Sequence, residues 1–249
     1  MKIGEDSYPT VEEYLDQNVS EFGKIAFNGN LFSVKEYKSL SESMGSRTLV
    51  SDIDYILELW TDRPALPNDK IWLLEEEYAG ESTSSKLSRI REEMASRDCD
   101  YYFIGALEDI CWLLNIRGND IDYNPVVLSY MLISNDQAHL CIDKDKIDGE
   151  VKDYLDENHI KIHSYDYIFT LLKDIPGKNR IFLDPERTNV AIYDSINTNV
   201  KISSGVNITT NMKAIKNEKE IENTKQAYII DGVTPVSYTH LTLPTICSV

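Results

Sequence analysis

The sequence predicts an α/β protein of two unequal mixed-sheet units, and three observations carry that prediction. Short apolar runs with strand character alternate with amphipathic helical segments along most of the chain. Several of the helical segments open on a Thr, Ser or Asn cap, with acids in the first turn. The stretch at 59–67, L-W-T-D-R-P-A-L-P, interrupts the alternation, because two prolines within four residues forbid regular helix. It reads as an extended crossing segment, and the unit boundary falls just beyond it, near residue 80.

Taken in order, Met1-Lys2-Ile3-Gly4 looks like the end of a strand, an abrupt start for a natural terminus. Thr10 caps a short helix, with Glu12 and Glu13 where the helix dipole favours negative charge. A strand is expected around 25–27, followed by a helix from Ser33 that carries Val34, Tyr37, Leu40 and Met44 and breaks at Gly45. Leu49 and Val50 suggest another strand. These strands are too few to close a sheet without help, so residues 1–80 are expected to form an incomplete first unit.

Residues 81–212 read as a complete second unit. A Ser/Thr run after Gly80 leads into a helix with Leu87, Ile90, Met94 and Ala95 on its core face. Residues 101–104 form a buried strand, and Ala106, Ile110, Leu113 and Leu114 stripe a helix expected to end at Gly118. The nearly continuous apolar run 126–133 predicts a central strand. Ala138, Leu140 and Ile142 alternate with His139 and Cys141 as a half-exposed strand, and Asn135-Asp136 turns between the two as a hairpin. A helix near 150–157, a strand at 160–163, a helix over 164–175 stopped by Pro176-Gly177, and a strand at 180–183 follow. Asp184-Pro185 is then expected to open another helix as N-cap and first residue.

Asn217 and Glu220 make a capping-box variant that opens a helix with Ile221, Tyr228 and Ile229 on one face, so residues 213–235 are expected to begin a third unit. Residues 236–249 contain no Lys, Arg, Asp or Glu, against 27 % charged residues in the chain as a whole. That tail, V-S-Y-T-H-L-T-L-P-T-I-C-S-V, resembles one reading frame of the transposase adapter used in short-read library preparation. It is expected to be adapter-derived and outside the fold, so His240 and Cys247 receive no role.

Composition excludes several functions. Lys and Arg number 25 against 42 Asp and Glu, a net charge of −17 that repels nucleic acid and anionic membrane surfaces. No apolar run approaches the roughly 20 residues of a membrane span, and a signal-peptide pattern is missing, so a cytoplasmic chain without nucleic-acid or membrane partners is expected. Cys99, Cys111, Cys141 and Cys247 show no C-x-x-C spacing and read as free thiols filling a core. The histidines lack ligand spacing. A two-histidine site from His159 and His163, four apart on a strand face, is conceivable but less favoured than no metal. No phosphate-cradling glycine loop and no G-x-S-x-G turn occur, and clusters such as Glu75-Glu76-Glu77 suit a solvated acidic surface.

One segment stands apart: Trp112-Leu113-Leu114-Asn115-Ile116-Arg117-Gly118-Asn119-Asp120, continuing to Asn124-Pro125-Val126 and Tyr130. It resembles the W-L-x-N-x-R-G-x-D-x-x-x-N-P-V-x-x-S-Y signature of the three-domain Xaa-Pro aminopeptidases, the aminopeptidase P group of the creatinase-like superfamily. The start around Asp6 and Glu13, W-T-D-R-P from Trp60, Y-A-G from Tyr78 and K-x-x-x-E-I-x-x-x-K-x-A from Lys216 agree in order. The resemblance implies two creatinase-N-like α/β domains that do no chemistry, the first incomplete. It also implies the opening helix of a pita-bread catalytic domain, and a Met1 that is an internal methionine of the first domain.

In that family the third domain holds two divalent metals, usually manganese, on two aspartates, one histidine and two glutamates that all follow the Asn217 helix. The resemblance therefore implies no catalytic residue, metal ligand or cofactor within this sequence, and no activity of its own. The whole enzyme would release the N-terminal residue from peptides with proline second, through a metal-bridging hydroxide, and would act as a homodimer. A non-enzymatic peptide- or protein-interaction module of the same superfamily is the alternative. An acidic surface would suit basic partners, but the motifs at 60–64 and 112–130 favour the peptidase.

Arg117, Asp120 and Asn124 are the candidates for substrate-access or interdomain contact. A guanidinium past a helix end and before a glycine is placed to project toward a neighbouring domain. The competing reading pairs Arg117 with Asp120 or Asp122 to fix the loop. Asn124, before Pro125, sets a turn into the central strand.

Overall fold

The computed structural model describes residues 8–242; the strand read at 1–4 and the end of the tail, Cys247 included, lie outside the described residues. The first unit starts with α1 (Val11–Asn18), where Thr10 Oγ1 accepts from Glu13 N at 3.2 Å and Thr10 N donates back to the Glu13 carboxylate at 2.9 Å. Next come β1 (Lys24–Ala26), α2 (Val34–Ser43), capped reciprocally by Ser33 and Glu36, and β2 (Thr48–Val50). The two strands pair in parallel, with no third beside them among the described residues, over a small core of Ile25, Leu40 and Met44. The help that this sheet lacks comes from the second unit. Val34 N donates to Thr188 O and Val190 N to Phe32 O, both at 2.9 Å, which ties the two units through their backbones.

A short helix, α3 (Tyr55–Leu59), adds to the predicted elements; Asp54 Oδ1 accepts from Ile56 N and Leu57 N, so one carboxylate supports a single turn. Residues 60–71 then cross without regular structure, as the prolines require. Two short elements follow, β3 (Trp72–Leu73) and α4 (Glu76–Ala79).

The second unit runs α5 (Thr83–Ser96), β4 (Tyr101–Ile104), α6 (Leu107–Leu114), β5 (Ile116–Arg117), β6 (Ser129–Ser134), β7 (Ala138–Ile142), α7 (Gly149–Glu157) and β8 (Ile160–His163). It continues through α8 (Tyr167–Lys173), β9 (Arg180–Leu183), α9 (Val190–Ser195), β10 (Lys201–Ser204) and α10 (Ile208–Ala214) to the long α11 (Glu218–Thr242). Six strands form one mixed sheet in the order β10-β9-β4-β6-β7-β8. β4, β9 and β10 are parallel, β6 runs antiparallel to β4 and β7, and β8 is parallel to β7. α5, α6 and α7 cover one face with Leu87, Ile90, Leu113, Leu114 and Leu155, and α8 and α9 cover the other with Ile168, Leu172 and Ile192. The sheet is thus the middle of three layers, with a separate antiparallel ribbon of β3 and β5 beside it.

Several expectations are corrected. β7 is buried on both faces, Leu140 and Cys141 alike, because helices cover both sides of the sheet; alternation in the sequence could not show the second layer. α6 ends at Leu114, not Gly118, since Asn115 adopts the left-handed conformation at φ 51° that closes a helix. Ala95 points to solvent, while Leu87, Ile90 and Met94 form the core stripe as expected. Asp184-Pro185 opens no helix. Its carboxylate accepts instead from Glu186 N at 2.9 Å and Asn207 N at 3.0 Å, and residues 185–187 make a turn, with Arg187 N on Asp184 O at 3.1 Å, before Asn189 caps α9. β10 and α10 have no counterpart among the predicted elements.

α11 continues across Pro235 to Thr242, into the segment expected to leave the fold. Pro235 supplies no N–H to the helix, a loss tolerable where the surrounding side chains are exposed.

Candidate functional site

Arg117 lies in β5 opposite Trp72. Its Nη1 donates to the carbonyls of Cys111 at 2.9 Å and Ile116 at 2.8 Å, so the half-buried guanidinium stitches the end of α6 to the strand that follows. Burial pulls its pKa down, opposed by the nearby Glu220 carboxylate. Among the described residues no ion pair joins Arg117 to Asp120 or Asp122, which corrects the pairing offered from sequence. Asp120 is committed elsewhere: its carboxylate forms a fully buried ion pair with Lys146 and accepts from Leu128 N at 2.6 Å.

Asn124 sits half-buried in a tight turn, with its N–H on Ile121 O at 3.1 Å and its carbonyl accepting from Val126 N at 2.7 Å, while Tyr123 before it takes φ 64°. This is the turn expected ahead of the central strand, although the regular part of β6 starts only at Ser129. The three candidates therefore share one loop structure. A cavity of about 810 Å³ lies in the first unit and is lined by Val11, Leu15, Ile25, Phe27, Phe32 and Leu40. A second, about 490 Å³, lies between the units and is lined in part by Tyr130, the end of the signature segment, with Tyr165, Arg187 and Asn189.

The histidines pair differently from the spacing argument. His159 takes φ 58° in the turn before β8, which removes it from the strand face. His163 instead meets His139 of β7, Nε2 to Nδ1 at 3.0 Å, and stacks on Tyr167 with ring centroids 4.6 Å apart. Burial first, then His163 and Lys161, push the His139 pKa down to about 4. The unfolded chain takes up a proton near pH 6.5 where the folded chain does not, so stability contributed above pH 6.5 is lost as the pH falls toward 4. From pH 6.5 to 5 the loss should be about 1 kcal/mol, less than the full linkage value because the ring is only partly buried. The urea midpoint should therefore fall over this range in the unsubstituted chain and fall less in His139→Gln, where only His163, its own pKa lowered by burial, still resists protonation.

Among the described residues no three His, Cys, Asp or Glu side chains come together as metal ligands. Cys111 and Cys141 are buried, and desolvation pushes their thiols up to about 11 and about 12, which keeps them from acting as thiolates.

Residues 62–220 match the family model of the creatinase/prolidase N-terminal domain. The chain belongs to that family. The match takes in most of the crossing segment, the whole six-stranded sheet and the start of α11. Xaa-Pro aminopeptidase 1 of Dictyostelium discoideum is 32 % identical over 243 residues, covering 92 % of this chain and 38 % of its own length. The crystal structure of the X-prolyl aminopeptidase of Caenorhabditis elegans, a cytosolic enzyme with a di-nuclear active site, superposes with a TM-score of 0.78 at 30 % identity. It covers 89 % of this chain and 38 % of that one. This creatinase/prolidase N-terminal chain thus spans about two-fifths of the length of the relatives it matches.

Proposed function

We propose that this chain is the non-catalytic N-terminal part of a cytosolic Xaa-Pro metalloaminopeptidase. The whole protein would remove the N-terminal residue from peptides with proline second. It would do so as a homodimer, using two divalent metals such as manganese held by a catalytic domain that follows α11. The observation that carries the reading is the superposition on the C. elegans aminopeptidase at 30 % identity over 89 % of the chain. The signature segment supports it: Arg117 lies in the ribbon beside the sheet, and Asp120 and Asn124 tie down the loop that follows, from which an interdomain or substrate-access contact would be presented. In an assay of the full chain with a Xaa-Pro peptide and added manganese, no release of the first residue above background is expected; turnover would overturn the non-catalytic reading.

A further inference from the structure

Three segments far apart in the sequence meet at the first turns of α11. Glu220 N donates to Asn217 Oδ1 and Asn217 N to Glu220 Oε2, both at 2.9 Å, which completes the capping box. The Asn217 amide also donates to Ala79 O at 2.8 Å, and the Asn223 amide to Tyr78 O at 3.1 Å. Gly80 closes α4 at φ 70°, and a Cβ there would run into the Asn217 side chain and lie 2.8 Å from Lys219 Cβ. Only glycine lets α11 sit this close.

The other oxygen of Glu220, Oε1, accepts from Trp112 Nε1 at 3.1 Å. The indole is held from its other side, for the Lys86 ammonium lies 4.5 Å from a Trp112 ring centroid and donates to Trp112 O at 2.8 Å and Asn115 Oδ1 at 2.6 Å. Asn115 in turn donates to Glu81 O at 2.9 Å. Lys86 is 1 % exposed and has no carboxylate within ion-pair distance among the described residues, so a buried cation faces the aromatic ring whose N–H holds Glu220. Tyr78-Ala79-Gly80, Trp112 with Asn115, and Asn217 with Glu220 belong to separate motifs in the sequence. In the fold they form one junction.

We propose that Glu220, Trp112, Lys86 and Asn217 are positioning residues that form a seat for α11 and fix the direction in which that helix leaves the sheet-bearing unit. Direction matters because the helix is a lever. Its 25 residues span about 37 Å at 1.5 Å per residue, so a 10° tilt at the seat moves the far end by roughly 6 Å. The seat itself needs nothing from the proposed function. Its consequence for catalysis rests on that reading: the helix would then carry the orientation of the metal-bearing part relative to the loop of Arg117.

The test places nitroxide labels at Lys152→Cys in α7 and Lys225→Cys in α11 of the full chain, in a Cys247→Ser background. Cys99, Cys111 and Cys141 are buried and should escape labelling. Pulsed dipolar spectroscopy should give one narrow distance distribution. Glu220→Ala and Trp112→Phe, which removes the N–H but keeps most of the ring, should each broaden it at least twofold. Glu220→Gln, which still offers an acceptor to the indole, should restore the narrow distribution. The thermal midpoint of Glu220→Ala should stay within a few degrees of the unsubstituted chain. Unchanged widths in both disrupting variants, or a collapse of the whole fold in Glu220→Ala, would overturn the proposal. No step of this test depends on peptidase activity, so its failure and that of the peptide assay are separable.

Discussion

Asp120→Ala should destabilise the second unit by about 3–5 kcal/mol, the range found when one member of a buried ion pair is removed and the other charge is left behind. The side chains of Asp120 and Lys146 are 1 % and 2 % exposed, so the stranded ammonium would have no water to turn to. The same change frees Leu128 N from its acceptor just before β6 enters the sheet. At roughly 2–4 °C per kcal/mol for a chain of this size, the thermal midpoint should drop on the order of 10 °C. Adding Lys146→Met should recover much of that loss, because the double variant removes both charges. A double variant no more stable than Asp120→Ala would show that the pair is not the source of the cost.

The second large effect is expected at Asp109, in the first turn of α6. Its carboxylate is buried and accepts from Thr209 Oγ1 at 2.8 Å and Thr210 Oγ1 at 2.6 Å, and it pairs with Lys213 Nζ at 2.7 Å. Thr209 reaches onward to the buried Tyr102 hydroxyl at 2.8 Å, so one acid ties α10 to α6 and β4. Burial pushes the Tyr102 hydroxyl strongly upward, which keeps it neutral and available as a hydrogen-bonding group. Asp109→Ala takes the acceptor from the buried Thr209 hydroxyl and from the half-buried Thr210 and Lys213 donors together, and should cost about 2–4 kcal/mol. Asp109→Asn, which keeps an acceptor for the threonines, should cost less. Urea unfolding checks both, with a lowered midpoint at unchanged slope expected for Asp109→Ala. Equal midpoints for the two variants would mean that the threonine bonds carry none of the effect.

Much of the local structure is legible in the sequence because it is decided within a few residues. The cap at Thr10 and the capping box at Asn217 need only a side chain and the backbone three positions on, and the structure forms both; at Ser33, where the sequence marks only a helix start, the structure adds a reciprocal box with Glu36. The β6–β7 hairpin and the core stripes of α5 and α6 follow from periodicity, apart from Ala95. The hardest elements to read are β10, with its exposed K-I-S-S pattern at the sheet edge, and α10, whose anchor is an acid about a hundred residues earlier.

The candidate residues show the same division. That Arg117, Asp120 and Asn124 belong to one loop follows from their spacing. That Asp120 pairs with Lys146 rather than Arg117 does not, for the choice depends on which cation the fold buries beside it. His139 and His163 are both visible in the sequence, but strand register alone brings them together across β7 and β8.

The sequence by itself determined the α/β class, the order of most elements, the family and the absence of a readable catalytic motif. These rest on local backbone preferences and on a signature read residue by residue. Only the tertiary structure decided that both faces of the sheet are covered, that Asp184-Pro185 turns instead of starting a helix, and that Gly80, Trp112 and Glu220 meet beneath α11. The reason is physical: burial and long-range pairing are fixed by which surfaces pack together, and a residue's neighbours in the chain do not carry that information.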